Sequence, residues 1–71
     1  MNAREWLDAY AAALGTAPPT TDEFKTLLDL AGVAAHSSER VAAPVACWLA
    51  AKAGVDPVEA KRLADEVGGD G

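Results

Sequence analysis

Apolar positions recur at helical spacing in four stretches of the chain, and the breaks between them fall at residues that end helices. Trp6, Tyr10 and Leu14 stand at i, i+4 and i+8, with Leu7 and Ala11 beside them, and Gly15 follows as a natural left-handed stop. This spacing predicts a helix over 3–14. Pro18 and Pro19 fix their own φ and push the residue before each out of the helical region, so 16–19 is a connector. Thr20 with Glu23 three residues on has the spacing of a capping box, in which hydroxyl and carboxylate satisfy exposed N–H groups reciprocally. The helix that follows, over 21–35, carries an apolar stripe of Phe24, Leu27, Leu28, Ala31 and Ala35, with Asp22, Lys25 and Asp29 toward solvent. Gly32 interrupts the stripe and reads as a close helix crossing or an early helix end.

Ser37 and Ser38 are both good N-caps, which predicts a third helix over 39–53, closed by Gly54. Its expected buried face is Val41, Val45, Trp48 and Leu49, ending at Lys52, whose stem can cover apolar surface while its ammonium reaches water. Pro44 lies inside this stretch. Either the helix bends where Pro44 leaves the Arg40 carbonyl without its partner, or it starts nearer Ala43. Asp56-Pro57-Val58-Glu59 supplies an Asp cap, a proline at the first helical position and an acid at the third, which predicts a fourth helix over 57–67. Ala60, Leu63, Ala64 and Val67 would face inward, Glu59, Arg62 and Glu66 would pair outside, and 68–71 would be a frayed tail.

Strand-favouring clusters are absent and Ile does not occur, so the fold class is all-α: a single domain over 1–71, built as a compact bundle of four short helices. The expected core is Trp6, Leu27, Leu28, Trp48 and Leu49, and Trp48→Ala is expected to cost about 3–5 kcal/mol. Seventeen of the apolar residues are alanine, which leaves few large side chains to fill that core. A domain of this size draws only about 3–5 kcal/mol from one core, which raises partner binding as a question from the start. Ala9, Ala12 and Ala13, and likewise Ala42, Ala46, Ala50 and Ala53, offer smooth sides where a second copy or a docking helix could approach closely.

Charge and cysteine usage remove whole classes of function. Eleven acidic against six basic residues give a net charge of −5 without any basic cluster, so nucleic acid is not an expected partner. The first eight residues hold two carboxylates and an indole in place of an apolar leader run, and 41–51, the longest uncharged apolar stretch, falls short of the ~20 residues a membrane span needs. With a single cysteine, Cys47, the chain is expected to be a small acidic cytoplasmic protein, neither exported nor membrane-spanning.

Catalytic inventories are equally thin. One His and one Cys cannot build a zinc site, and neither a calcium loop nor a phosphate-binding glycine loop is present, so no metal or cofactor is expected. Cys47, among Ala46, Trp48 and Leu49, reads as an inert small hydrophobe. The densest polar stretch is 36–40, where His36, Ser37, Ser38, Glu39 and Arg40 gather a titratable ring, two hydroxyls and an acid–base pair at a helix junction. As a binding corner, Arg40 would offer a planar fork to a carboxylate or phosphate and His36 a titratable donor. As structure alone, a serine would cap helix three, His36 would favour the end of helix two, and Arg40 would be a solvated member of an ion pair.

Three runs together carry a family resemblance. These are Trp6-Leu7-Asp8-Ala9-Tyr10-Ala11-Ala12-Ala13-Leu14-Gly15, then Leu27-Leu28-Asp29-Leu30-Ala31-Gly32-Val33-Ala34-Ala35-His36-Ser37-Ser38-Glu39-Arg40, then Ala42-Ala43-Pro44. The sequence resembles an uncharacterised family of small actinobacterial helical domains, found alone or at the C-terminus of molybdenum-cofactor guanylyltransferase-like nucleotidyltransferases. The resemblance implies association with molybdenum-cofactor nucleotide attachment or molybdoenzyme maturation, with a nucleotidyltransferase or molybdoenzyme as protein partner. It does not imply the transferase activity, because the transferase's glycine-rich loop and metal-binding acids are absent. The expected function is therefore a non-catalytic accessory or interaction domain, and the alternative is a small ligand-binding protein or enzyme using the 36–40 corner.

Overall fold

Backbone groups at helix ends have no partner within the helix, and the positions where this chain satisfies them locally set its architecture. The computed structural model describes residues 1–68 and is all-α, with four helices: α1 (Ala3–Leu14), α2 (Thr21–Ser37), α3 (Ala42–Ala53) and α4 (Pro57–Gly68). Of the expected tail, Gly68 is the last residue of α4 and 69–71 lie outside the described residues.

Three of the four starts are side-chain caps. Asn2 Oδ1 accepts from the Glu5 N–H at 2.8 Å while Glu5 Oε1 accepts from the Asn2 N–H at 3.0 Å. Thr20 and Glu23 make the same reciprocal pair, as their spacing predicts, at 3.1 and 2.8 Å. At α4, Asp56 Oδ1 accepts from the Glu59 N–H at 2.9 Å, with Pro57 in the first turn. Gly15 (φ 81°) and Gly54 (φ 77°) close α1 and α3 in the left-handed region, where a side chain would be strained. Behind them Thr16 and Val55 donate back to Ala11 and Ala50.

The junction between α2 and α3 departs from expectation in three ways. First, α2 runs straight through Gly32 to Ser37, and a Cβ at Gly32 would meet nothing within 4 Å, so this glycine marks neither a close crossing nor a helix end. Second, neither serine caps α3. Ser38 Oγ instead donates back to the Ala34 carbonyl, one turn earlier in α2, at 2.8 Å. Third, α3 begins at Ala42 rather than at 39, behind Val41, which makes no side-chain cap bond. Pro44 thereby falls in the first turn, where its missing N–H has no intrahelical partner to lose, and the Arg40 carbonyl is taken by the Ala43 N–H at 3.1 Å.

Helix α2 is the centre of the fold, with α3 and α4 each packed along it but not along one another. The most enclosed residues are Leu30 of α2, 3% exposed, Ala60 of α4 and Ala11 of α1. None of the five side chains expected to form the core is fully buried: Leu27 is half-buried, while Leu28, Leu49 and both tryptophans are exposed. On α2 the inward arc is centred on Leu30 and includes Leu27 and Ala34, because two helices flank it and the arc faces the space between them. Helix α1 packs less extensively than α3 and α4, turning only Arg4, Leu7 and Ala11 inward. It is tied to the start of α2 through Arg4, whose guanidinium donates to the Pro19 carbonyl and lies 5.5 Å from the centre of the Phe24 ring.

Candidate functional site

The largest departure from the expected packing is in α3. Ala42, Ala43, Ala46, Cys47 and Ala50 are its half-buried residues, and the Cys47 sulfur approaches the Leu27 carbonyl of α2 at 4.0 Å. The expected inward stripe of Val41, Val45 and Trp48 lies on the opposite side, with Trp48 59% exposed. Of the small residues expected to form a contact surface, Ala42, Ala46 and Ala50 are instead turned inward toward α2, where their size lets two backbones come close, while Ala53 and, on α1, Ala9, Ala12 and Ala13 are exposed. Lys52 places its ammonium Nζ 4.9 Å from the centre of the exposed Trp48 ring, a cation–π contact on the outer side rather than a stem laid along the end of a buried stripe.

The candidate corner is divided by the turn it occupies. His36, at the end of α2, lines a shallow depression shared with Asp29, Lys61 and Asp65 and so faces toward α4. Ser37 borders both this depression and an apolar groove, and Ser38 is committed to the Ala34 carbonyl while also lining the groove. Glu39 and Arg40 are exposed in the turn that leads into Val41, the first residue of the outward α3 stripe. No side-chain hydrogen bond or salt bridge joins these five residues to one another among the described residues. The acid–base pair written in the sequence is therefore two separate exposed charges.

Other chemistry is sparse. Burial raises the pKa of the Cys47 thiol above its ordinary value, which keeps it in the protonated, poorly nucleophilic form. No group of three or more His, Cys, Asp and Glu among the described residues could hold a metal ion, and no described helix is long and apolar enough to cross a membrane. The strongest electrostatic feature belongs to α4: Arg62 bridges Glu59 and Glu66 at 2.7 and 2.6 Å, and Lys61 pairs with Asp65 at 2.7 Å. These pairs are exposed, so they solvate a helix face rather than organise a reaction centre.

Comparison with known families places this arrangement, since the family described as Domain of unknown function (DUF6457) matches residues 1–68. The chain belongs to the DUF6457 family. No curated protein and no solved structure matches it. The DUF6457 domain here contains all four helices, the 36–40 corner and the apolar faces, so the features described above lie within the family match.

Two surfaces of this DUF6457 domain escape a reading of the sequence alone. One is the outward α3 face, for which the signal was present: Ala42, Ala46 and Ala50 recur at i, i+4 and i+8, a seam of small residues suited to close helix packing. The other is the groove between α3 and α4, which depends on two helices flanking α2 without meeting and has no signature in any one segment.

Proposed function

We propose that the domain is a non-catalytic helical interaction module that docks a protein partner of the molybdenum-cofactor machinery through the outer face of α3. The observation that carries this reading is the exposure of Val41, Val45 and Trp48 on the helix side facing away from α2. A domain with so few large apolar residues gains more from burying an indole than from burying alanines. An indole left outside, beside two valines, is a surface suited to being covered. Arg40 and Glu39 directly precede Val41, giving an apolar centre with a charged edge, the usual arrangement of a docking site. Trp and Arg are the side chains that most often dominate binding energy in such sites. The identity of the partner rests on the family resemblance, which implies a nucleotidyltransferase attaching a nucleotide to the molybdenum cofactor, or a molybdoenzyme under maturation. The exposed and mutually unbonded side chains of 36–40 favour a recognition edge over an enzymatic centre.

The test is capture of purified candidate partners by the full chain. A nucleotidyltransferase or molybdoenzyme should be retained by the wild type, lost with Val45→Glu, weakened with Arg40→Ala and unaffected by Arg62→Ala, with helicity by circular dichroism unchanged in all three. Capture indifferent to Val45→Glu and Arg40→Ala would reject the α3 face. Failure of both partner classes to bind the wild type would reject the molybdenum-cofactor assignment.

A further inference from the structure

The groove between α3 and α4 is floored by Leu30 and Ala34 of α2 and walled by Leu49 and Ala53 on one side and Leu63 and Val67 on the other. Its volume is about 500 Å³ and its walls are two helices of 12 residues each. Helix α1 also has 12 residues, and while Leu7 and Ala11 turn inward, its other side is left uncovered by its own chain. It presents Trp6, Tyr10 and Leu14 as an exposed ridge at i, i+4 and i+8, its first two rings stacked at 5.0 Å. We infer that a second copy of this chain fills the groove: two molecules pair about a two-fold axis, each seating its α1 ridge between α3 and α4 of the other.

The area of the chain supports this occupant. It exposes 5112 Å², whereas a folded monomer of 7.3 kDa is expected to expose roughly 4,200 Å². The excess, roughly 900 Å², matches the ~800 Å² per partner that a stable interface buries. Ridge and groove occur once each per chain, so reciprocal insertion closes the assembly at two copies and leaves neither surface open. A helix presenting anchors one turn apart is also the form in which an apolar groove is commonly filled. With each copy carrying −5, pairing should strengthen as salt screens the repulsion. The outer α3 face takes no part, so this inference stands or falls separately from the partner proposed above.

Sedimentation equilibrium of the full chain should give a dimer mass at tens of micromolar. Tyr10→Glu on the ridge and Leu63→Lys in the groove should each weaken pairing at least about tenfold, and mixing the two should restore a heterodimer, because the new carboxylate of one then meets the new ammonium of the other. Val45→Glu should leave the dimer unchanged. Fluorescence of Trp48→Phe gives a readout without altering ridge or groove, and Trp6→Phe keeps an aromatic ring on the ridge. In Trp48→Phe the remaining indole, Trp6, should shift to shorter wavelength as concentration rises, whereas in Trp6→Phe the remaining Trp48 should not shift with concentration. A wild type that stays monomeric up to ~1 mM overturns the inference. So does a dimer broken by Val45→Glu, a mixture that does not re-pair, or a concentration-dependent shift at Trp48 with none at Trp6.

Discussion

Helices α3 and α4 have the same length and both pack along α2, yet their outer sides are finished for different surroundings. The outside of α4 carries a lattice of ion pairs, Glu59 to Arg62 to Glu66 and Lys61 to Asp65, beside exposed Val58 and Val67. On α3 it is Val41, Val45 and Trp48, with Lys52 alone supplying charge. Both helices put small residues against α2, Ala60 and Ala64 from one and Ala42, Ala46 and Ala50 from the other. Inward packing therefore does not distinguish them; what each presents to the outside does. Exposed valines are common to both helices; the exposed indole beside Val45, with no ion-pair lattice around it, is what sets the outer face of α3 apart.

The most damaging way to probe this pair is to remove what both lean on. Leu30 is the most enclosed large side chain of the described residues, so Leu30→Ala should lose about 2–5 kcal/mol and leave most of the chain unfolded at 25 °C. Urea denaturation followed by circular dichroism measures this directly. Retained cooperative unfolding at nearly wild-type midpoint would mean that α3 and α4 are not held through the Leu30 seam.

A smaller effect should separate the two helices, because only α4 starts on a side-chain cap. Asp56→Ala removes the acceptor of the Glu59 N–H and should cost about 1 kcal/mol, whereas Asp56→Asn keeps an acceptor and should be nearly neutral. Val41, at the corresponding place before α3, offers no such bond, so Val41→Ala should not show this capping loss. Equal midpoints for Asp56→Ala and Asp56→Asn would remove the cap as the reason α4 begins where it does.

Smaller still is the expected effect of Trp48→Ala on stability, below about 1 kcal/mol, since the indole is mostly outside and alanine is the better helix former. Reading the sequence alone gives the opposite expectation, and the reason is specific. Hydrophobic periodicity reveals which side of a helix is buried only when the other side is polar, and even on α4, where Arg62 and Glu66 mark an outside, Ala60 is buried as expected but Leu63 and Val67 are exposed. Helix α3 has one polar residue among twelve, so its period fixes a helix and says nothing about direction. On α2 the miss has another cause: Asp22, Lys25 and Asp29 mark a polar side, but two helices flank α2, and the stripe drawn through Leu28 misses Leu30 between them. Helix starts and stops were legible because a cap is local chemistry: Thr20 with Glu23, Asp56 with Pro57, and the glycines at 15 and 54 act within a few residues. Ser38 shows the limit of that locality, since a hydroxyl between two helices can serve either, and here it serves the one before it. The 36–40 cluster was legible as a polar junction, but the division of His36 from Arg40 depends on how the turn is folded.

The least disruptive probe titrates one outer face and leaves the other untouched. The hydrogen bond from Arg62 holds the Glu59 carboxyl below the ordinary carboxylate range, with the guanidinium's charge adding to it. A carboxyl whose folded pKa lies below its unfolded value contributes stability above the unfolded value and loses it as pH falls through the folded one. The matching rise at Lys61 and Arg62 favours their charged forms, a contribution fully present at neutral pH and lost only as pH rises through their folded values. Acid should therefore loosen the start of α4, where Glu59 lies in the first turn, and spare α3, which has no carboxylate along its length. Carboxyl NMR should show the Glu59 midpoint moving upward in Arg62→Ala and in high salt, because these pairs are exposed and screened. Amide exchange near the acid midpoint should accelerate along α4 with little change along α3. If both helices accelerate together, the ion-pair face is not an independent finish on α4, and its loss is transmitted through α2.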